Sequence, residues 1–241
     1  MEQFTVVSFY TKDDNIDYTP GAKNLITSME KFNLDTSHID LIPSDDTWEK
    51  NVSKKPEFIR EKLKSLNTPI VWTDADSAFL QYPELFHELN DYEFAFFNDH
   101  HSPFKIILSG TLYFKPTVTM FEFLDDWVDR NNYNYNDSFV TQRRYNGDQK
   151  SLDQIFRDKW DPALGHKELK FKKLPRSYCT VFDWGTAQMK RPRRFAAADD
   201  EVSWTKAIKT ALLSFKDKPV IEHYQYSRKF WLNKHNKKND K

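Results

Sequence analysis

The sequence predicts an α/β fold: a single domain built on a central mixed, mostly parallel sheet flanked by helices. Two observations carry this. The first half alternates β-rich runs with helix-period runs, the pattern of βαβ units, and the second half mixes strand and helix patterns less regularly. The apolar run Pro69–Thr73 then stops abruptly at Asp74-Ala75-Asp76, as a buried strand does when it reaches the open edge of a sheet. The length of 241 residues fits one large domain or two small ones.

Taken in order, Phe4–Tyr10 (FTVVSFY) is an opening strand. Polar residues 11–19 form a loop, and Pro20–Phe32 carries Leu25, Ile26 and Met29 on one helical face. His38–Ile42 is a short strand. Pro56 suits the first position of a helix whose Phe58, Ile59, Leu63 and Leu66 recur at helical spacing. The strand ending in Asp74 follows. Tyr92–Phe97 and Ile106–Phe114 read as strands, and Val118–Val128 as a helix with Phe121, Leu124 and Trp127 inward. Asp148 suits the N-cap of a helix carrying Leu152, Ile155 and Phe156. Leu169–Leu174, Val181-Phe182 and Val220-Ile221 are short strand candidates, the last leading into His223. Residues 185–218 read as an insertion within a domain spanning 1–232, and 233–241 as a basic, mobile tail. No internal repeat is present.

Composition narrows the function. Charged residues make up 30% and hydrophobic ones 39%, a globular balance, and aromatics reach 16%, enough for a core of large rings. With only 5 Gly there is no glycine-rich phosphate loop of either dinucleotide-binding or P-loop type. The single Cys179 excludes an intrachain disulfide and a cysteine-based zinc site, and is compatible with a reducing compartment. No apolar run approaches the roughly 18 residues of a membrane span, and MEQFTVVSFY lacks the features of a signal peptide. A cytoplasmic location is the expectation. The formal net charge of +0 gives no global bias toward nucleic acid, although Met189–Arg194 (MKRPRR) is locally basic.

Asp74 and Asp76 are the leading candidates for chemistry. Alternate residues of an extended segment share a face, so both carboxylates can enter one space. Two hard oxygen ligands suit Mg²⁺ or Mn²⁺ with a phosphorylated substrate. The bland alternative is that they cap a turn or pair with a nearby lysine.

The flanking residues extend the pattern. Lys55-Pro56-Glu57-Phe58-Ile59 precedes Val71-Trp72-Thr73-Asp74-Ala75-Asp76, which is followed by Pro83, Ser109-Gly110-Thr111, Gly147-Asp148-Gln149 and His223. In this order, over roughly residues 4–232, the chain resembles the GT-A nucleotide-diphospho-sugar transferases. The resemblance implies a metal-dependent glycosyltransferase moving a sugar from a nucleoside-diphosphate donor, UDP-linked by expectation, to a hydroxyl acceptor. It implies Asp76 as the main ligand of Mn²⁺ or Mg²⁺, Asp74 sharing the metal or bonding the ribose, and His223 as third ligand. An imidazole favours Mn²⁺. Tyr10, Thr11 and Tyr18 lie where this fold seats the base, and Tyr10 or Tyr18 would stack on uracil; both also suit a core or loop aromatic. Lys55 would reach a phosphate or the base, unless it is a surface lysine. Ser109 and Gly110 would let the backbone approach the sugar, or mark a strand bulge. Asp148 would contact the donor sugar or act as the base of an inverting transfer.

After His223 some retaining members carry a motif whose Lys and Trp match Lys229 and Trp231, with Tyr226 and Phe230 departing from its Gly and Pro. Arg228 or Lys229 would hold the diphosphate, or belong to a solvated tail. His100 and His101 form a loop beside the site on the acceptor side, since adjacent residues of a strand cannot both face one ion.

Two other functions compete. A haloacid-dehalogenase-type phosphohydrolase also ends a strand in Asp-x-Asp, but Ala78 stands where Thr or Val is usual and two βα units precede the motif. A non-catalytic nucleic-acid-binding protein would draw on the basic run and tail. The two ideas also merge: Arg191, Arg193 and Arg194 would hold a polyanionic acceptor, as in viral transferases that glycosylate hydroxymethylated pyrimidines of DNA, the other acceptor being a glycan.

Overall fold

The computed structural model describes residues 4–13, 17–45, 47–98, 106–141, 147–181 and 218–224. The first apolar run forms β1 (Thr5–Tyr10), which pairs in parallel with β2 (Ile39–Leu41) on one side and β3 (Ile70–Thr73) on the other. All of β3 is buried, as its unbroken apolar run requires. Beyond it lie β6 (Ile107–Phe114), β5 (Phe94–Asn98) and β7 (Phe171–Lys173), giving the order β2-β1-β3-β6-β5-β7. Only β6 runs against its neighbours in this sheet. The expected mixed, mostly parallel sheet is thus present.

Pleating assigns alternate residues to two cores. Val6, Val71, Tyr113 and Ala95 stand in register and face α1 (Thr19–Glu30), which contributes Leu25 and Met29. Val7, Trp72, Leu112 and Phe96 occupy the other face. There they meet Ile59 and Leu63 of α3 (Lys55–Leu66), Phe123 and Trp127 of α4 (Val118–Thr141), and Leu152 of α5 (Gly147–Ile155). The aromatic surplus concentrates here: Phe94 lies 5.0 Å from Phe123 and 5.2 Å from Phe114, ring centre to ring centre.

A small second sheet, β4-β9-β8, flanks the first. β9 (Ile221–His223) pairs antiparallel with β4 (Ser77–Phe79) and parallel with β8 (Thr180–Val181). Among the described residues no helix is long and apolar enough to cross a membrane.

Several boundaries differ from those the sequence suggests. A short α2 (Trp48–Ser53), N-capped by the Thr47 hydroxyl, precedes α3, and Lys54 remains helical between them. Helix α3 therefore begins at Lys55, with Pro56 in its first turn, where a missing N–H costs nothing. Helix α4 continues past Val128 to Thr141. Asp148 is not an N-cap: it lies inside the first turn of α5, and its carboxylate is used elsewhere. His223 is the last residue of β9 rather than a residue beyond the strand.

Candidate active site

β3 ends at Thr73, and the chain turns at once, with Ser77 N–H donating to the Asp74 carbonyl at 3.0 Å. Asp74 N–H donates to the Gly110 carbonyl of β6 at 3.0 Å, which holds the turn on the main sheet. β9 places His223 directly opposite Ser77, and Tyr224 N–H donates to the Asp76 carbonyl at 2.8 Å. The strand order therefore gathers Asp74, Asp76 and His223, whose ligand atoms lie within 4.8 Å of one another.

The three residues fit a divalent cation. Two carboxylates and an imidazole are a donor set suited to Mn²⁺. Burial pushes the His223 pKa down to about 4; Asp74 opposes this shift and Lys55 adds to it. The imidazole is therefore neutral near pH 7, the form that ligates a metal. Its buried Nδ1 has no hydrogen-bond partner among the described residues.

Lys55, the first residue of α3, lies beneath this turn, with its side chain 7% exposed. Its Nζ is 2.9 Å from Asp74 Oδ1 and 2.7 Å from Asp148 Oδ2, and it donates to Ser109 Oγ at 3.4 Å. The Trp72 ring lies 5.2 Å below it, and Trp72 Nε1 donates to the same Asp74 Oδ1 at 3.1 Å. Burial alone would lower the lysine pKa; the adjacent Asp148 and Asp74 carboxylates outweigh it and raise it. Lys55 is thus a buried, permanent cation shared between two acids, and not a surface lysine.

Beside the Asp-x-Asp turn opens a cleft lined by Phe9, Tyr10, Thr11, Tyr18, Trp48, Asn51, Val52, Lys55, Trp72, Asp74, Ala75 and Asp76. It unites six residues selected from the sequence: Tyr10, Thr11, Tyr18, Lys55, Asp74 and Asp76. Trp48, Asn51 and Val52 escaped that reading. The available signal was Thr47 followed by Trp48-Glu49-Lys50, a capping residue before a possible short helix.

Gly110 packs against the His223 ring. A Cβ there would come within 3.0 Å of His223 Cε1 and 3.2 Å of both ring nitrogens. Its missing side chain makes room for the imidazole. Ser109, by contrast, reaches Lys55. His100, His101, Arg191, Arg193, Arg194, Arg228 and Lys229 lie outside the described residues, as do most of 185–218 and the tail.

A family model described as nucleotide-diphospho-sugar transferase matches residues 22–232. No curated protein gives a significant match. Among solved structures, the chain is similar to a glycosyltransferase involved in the glycosylation of the major capsid of PBCV-1, at 9% identity and a TM-score of 0.52, over 96% of this chain and 98% of that one. Two further similar structures are the apo-form glycosyltransferase GlyE of Streptococcus pneumoniae TIGR4 (14% identity, TM-score 0.49, 95% of this chain and 60% of that one) and mouse xyloside xylosyltransferase 1 (12% identity, TM-score 0.44, 93% and 98%). The first of these carries the fold comparison across both full chains; the enzyme class comes from the family match, which leaves the phosphohydrolase and purely nucleic-acid-binding alternatives without support. The chain belongs to the nucleotide-diphospho-sugar transferases and is a glycosyltransferase of GT-A architecture.

Proposed function

We propose that the chain transfers a hexose or related sugar from a UDP-linked donor to a hydroxyl acceptor, with Mn²⁺ held by Asp74, Asp76 and His223. The observation that carries this reading is the convergence of two carboxylates and a buried imidazole within 4.8 Å. A bound divalent ion would neutralise the nucleoside diphosphate as it departs. The chain's own residues do the rest. Tyr10, Tyr18 and Trp48 offer aromatic faces to a base in the cleft. Lys55 contacts one oxygen each of Asp74 and Asp148 and orients both side chains, so that Asp148 can bond the donor sugar or take the acceptor proton. Arg228 and Lys229 remain candidate diphosphate contacts on charge alone.

The acceptor is a glycan hydroxyl or, given the basic run Met189–Arg194, the hydroxyl of a hydroxymethylated pyrimidine in DNA. A steep loss of transfer with added salt would mark the DNA acceptor, through Arg191, Arg193 and Arg194. A cytoplasmic location is proposed from the lone, unpaired Cys179.

The test is a thermal-shift screen of nucleoside diphosphates with and without Mn²⁺. A UDP shift that requires Mn²⁺ is expected; a nucleotide present at 100 times its Kd adds about 2.7 kcal/mol. Asp76→Ala is expected to abolish both the shift and metal-dependent turnover. Near wild-type turnover in Asp76→Ala overturns the assignment.

A further inference from the structure

We propose that Thr111 is a positioning residue that decides which nitrogen of His223 meets the divalent cation: the Thr111 hydroxyl holds Nε2–H, and Nδ1 is the ligand. This rests on the cation reading above.

A neutral imidazole has one nitrogen with a proton and one with a free lone pair, and only the latter can ligate. Which is which depends on the hydrogen bond made by the other nitrogen. In this molecule the two nitrogens have different surroundings. Nε2 lies 2.9 Å from Thr111 Oγ1, with Thr111 fully buried and His223 only 4% exposed. Nδ1 is equally buried and has no hydrogen-bond partner among the described residues. It belongs to the one side chain that β9 contributes to the Asp74–Asp76 cluster.

The backbone explains why Thr111 can do this. Across β5 and β6 the register jumps: Phe96 pairs with Leu112, but Phe97 pairs with Leu108. Ser109, Gly110 and Thr111 therefore have no register partner on β5, although Thr111 stays paired with Thr73 of β3, and such irregularities re-aim side chains. Gly110 leaves open the slot that the nitrogen-bearing edge of the ring fills. Thr111 closes the slot at Nε2. With the proton on Nδ1 instead, an N–H would point where the cation needs a lone pair. A valine at 111 would keep the shape, strand the Nε2 proton in the interior and remove the preference.

The experiment has two arms. In the first, ring-nitrogen NMR of histidine-labelled protein loaded with cadmium identifies the ligating atom by its one-bond coupling to the metal, with His223→Gln assigning the signal. Coupling at Nδ1, with Nε2 protonated, is expected; coupling at Nε2 overturns the proposal. In the second, Mn²⁺ affinity is measured by electron paramagnetic resonance titration. Thr111→Val is expected to bind about 10–100-fold more weakly, while Thr111→Ser, which keeps the hydroxyl, stays near wild type. Unchanged affinity in a folded Thr111→Val overturns the role of Thr111 and leaves the Asp–Asp–His site standing. Should Thr111→Val fail to fold, the NMR arm on the wild-type chain still decides. Wild-type protein that binds neither ion overturns the cation reading and this proposal together.

Discussion

Lys55 shows how much one buried charge can organise. Its ammonium meets Asp148 at 2.7 Å, where both side chains are under 10% exposed, and Asp74 at 2.9 Å, where the acid is 35% exposed. Water screens the second contact, so the first dominates. Lys55→Met should destabilise the fold by about 3–5 kcal/mol, because it strands a buried carboxylate; urea denaturation measures this. Since the folded lysine pKa is raised, its contribution is complete below the ordinary lysine value of 10.5 and is lost only as pH climbs through the raised one. The wild-type advantage over Lys55→Met should therefore hold steady from neutral pH up to 10.5 and fall above it. The sequence singled out Lys55 and Asp148 separately. Their pairing was not legible, because it needs the starts of α3 and α5 to meet beside Ser109 of β6. The Asp74–Asp76–His223 cluster was legible, since an apolar strand ending in two acids states its own edge, and His223 came from order within the family pattern.

At the scale of elements, long periodic segments were readable and short ones were not. Helices α1 and α3 carry apolar stripes, and their observed starts fall within a residue of the expected ones. α2 has 6 residues and β4 has 3, too few for any period to show. Tertiary bonds stabilise β4: Phe79 N–H donates to Ser28 Oγ at 2.9 Å, and Leu80 N–H to the Val220 carbonyl at 2.8 Å. Helix α4 outruns its apolar stripe because polar contacts take over. Asn131 donates to the Ser53 carbonyl at 2.8 Å and Asn134 to Gln154 Oε1 at 2.8 Å. Gly21 sets how closely α1 approaches the acidic turn: a Cβ there would meet the Ala75 carbonyl oxygen at 3.1 Å and Asp76 Cα at 3.3 Å. Gly21→Ala should push helix and turn apart and cost about 1–3 kcal/mol. A fall in melting temperature together with weaker Mn²⁺ binding is the expected result; a higher melting temperature would show that the helix slides without strain.

At the scale of the whole molecule, the site sits on the seam between the six-stranded sheet and the small one. Ile221 belongs to the core on the α1 face, fully buried, two residues from His223 on the same face of β9. Ile221→Ala should cost about 2–5 kcal/mol through the cavity it leaves, read by urea denaturation, and should loosen the imidazole enough to weaken Mn²⁺ binding in the same titration. A stability loss with unaltered ion affinity would mean that pairing to β4 alone holds His223. The sheet order itself was only half visible beforehand. Parallel βαβ units announce themselves through alternation, whereas the return of β9 to β4 leaves no mark in local composition.

That return has a temporal side. Asp74 and Asp76 leave the ribosome long before residue 223, so a half-made chain exposes two acids with no imidazole beside them. On the proposed cation reading, such a chain would grasp a divalent ion only loosely. The grip would tighten once the strand carrying His223 has been synthesised and threads in beside β4, so that competence to hold the ion would report that the small sheet has closed.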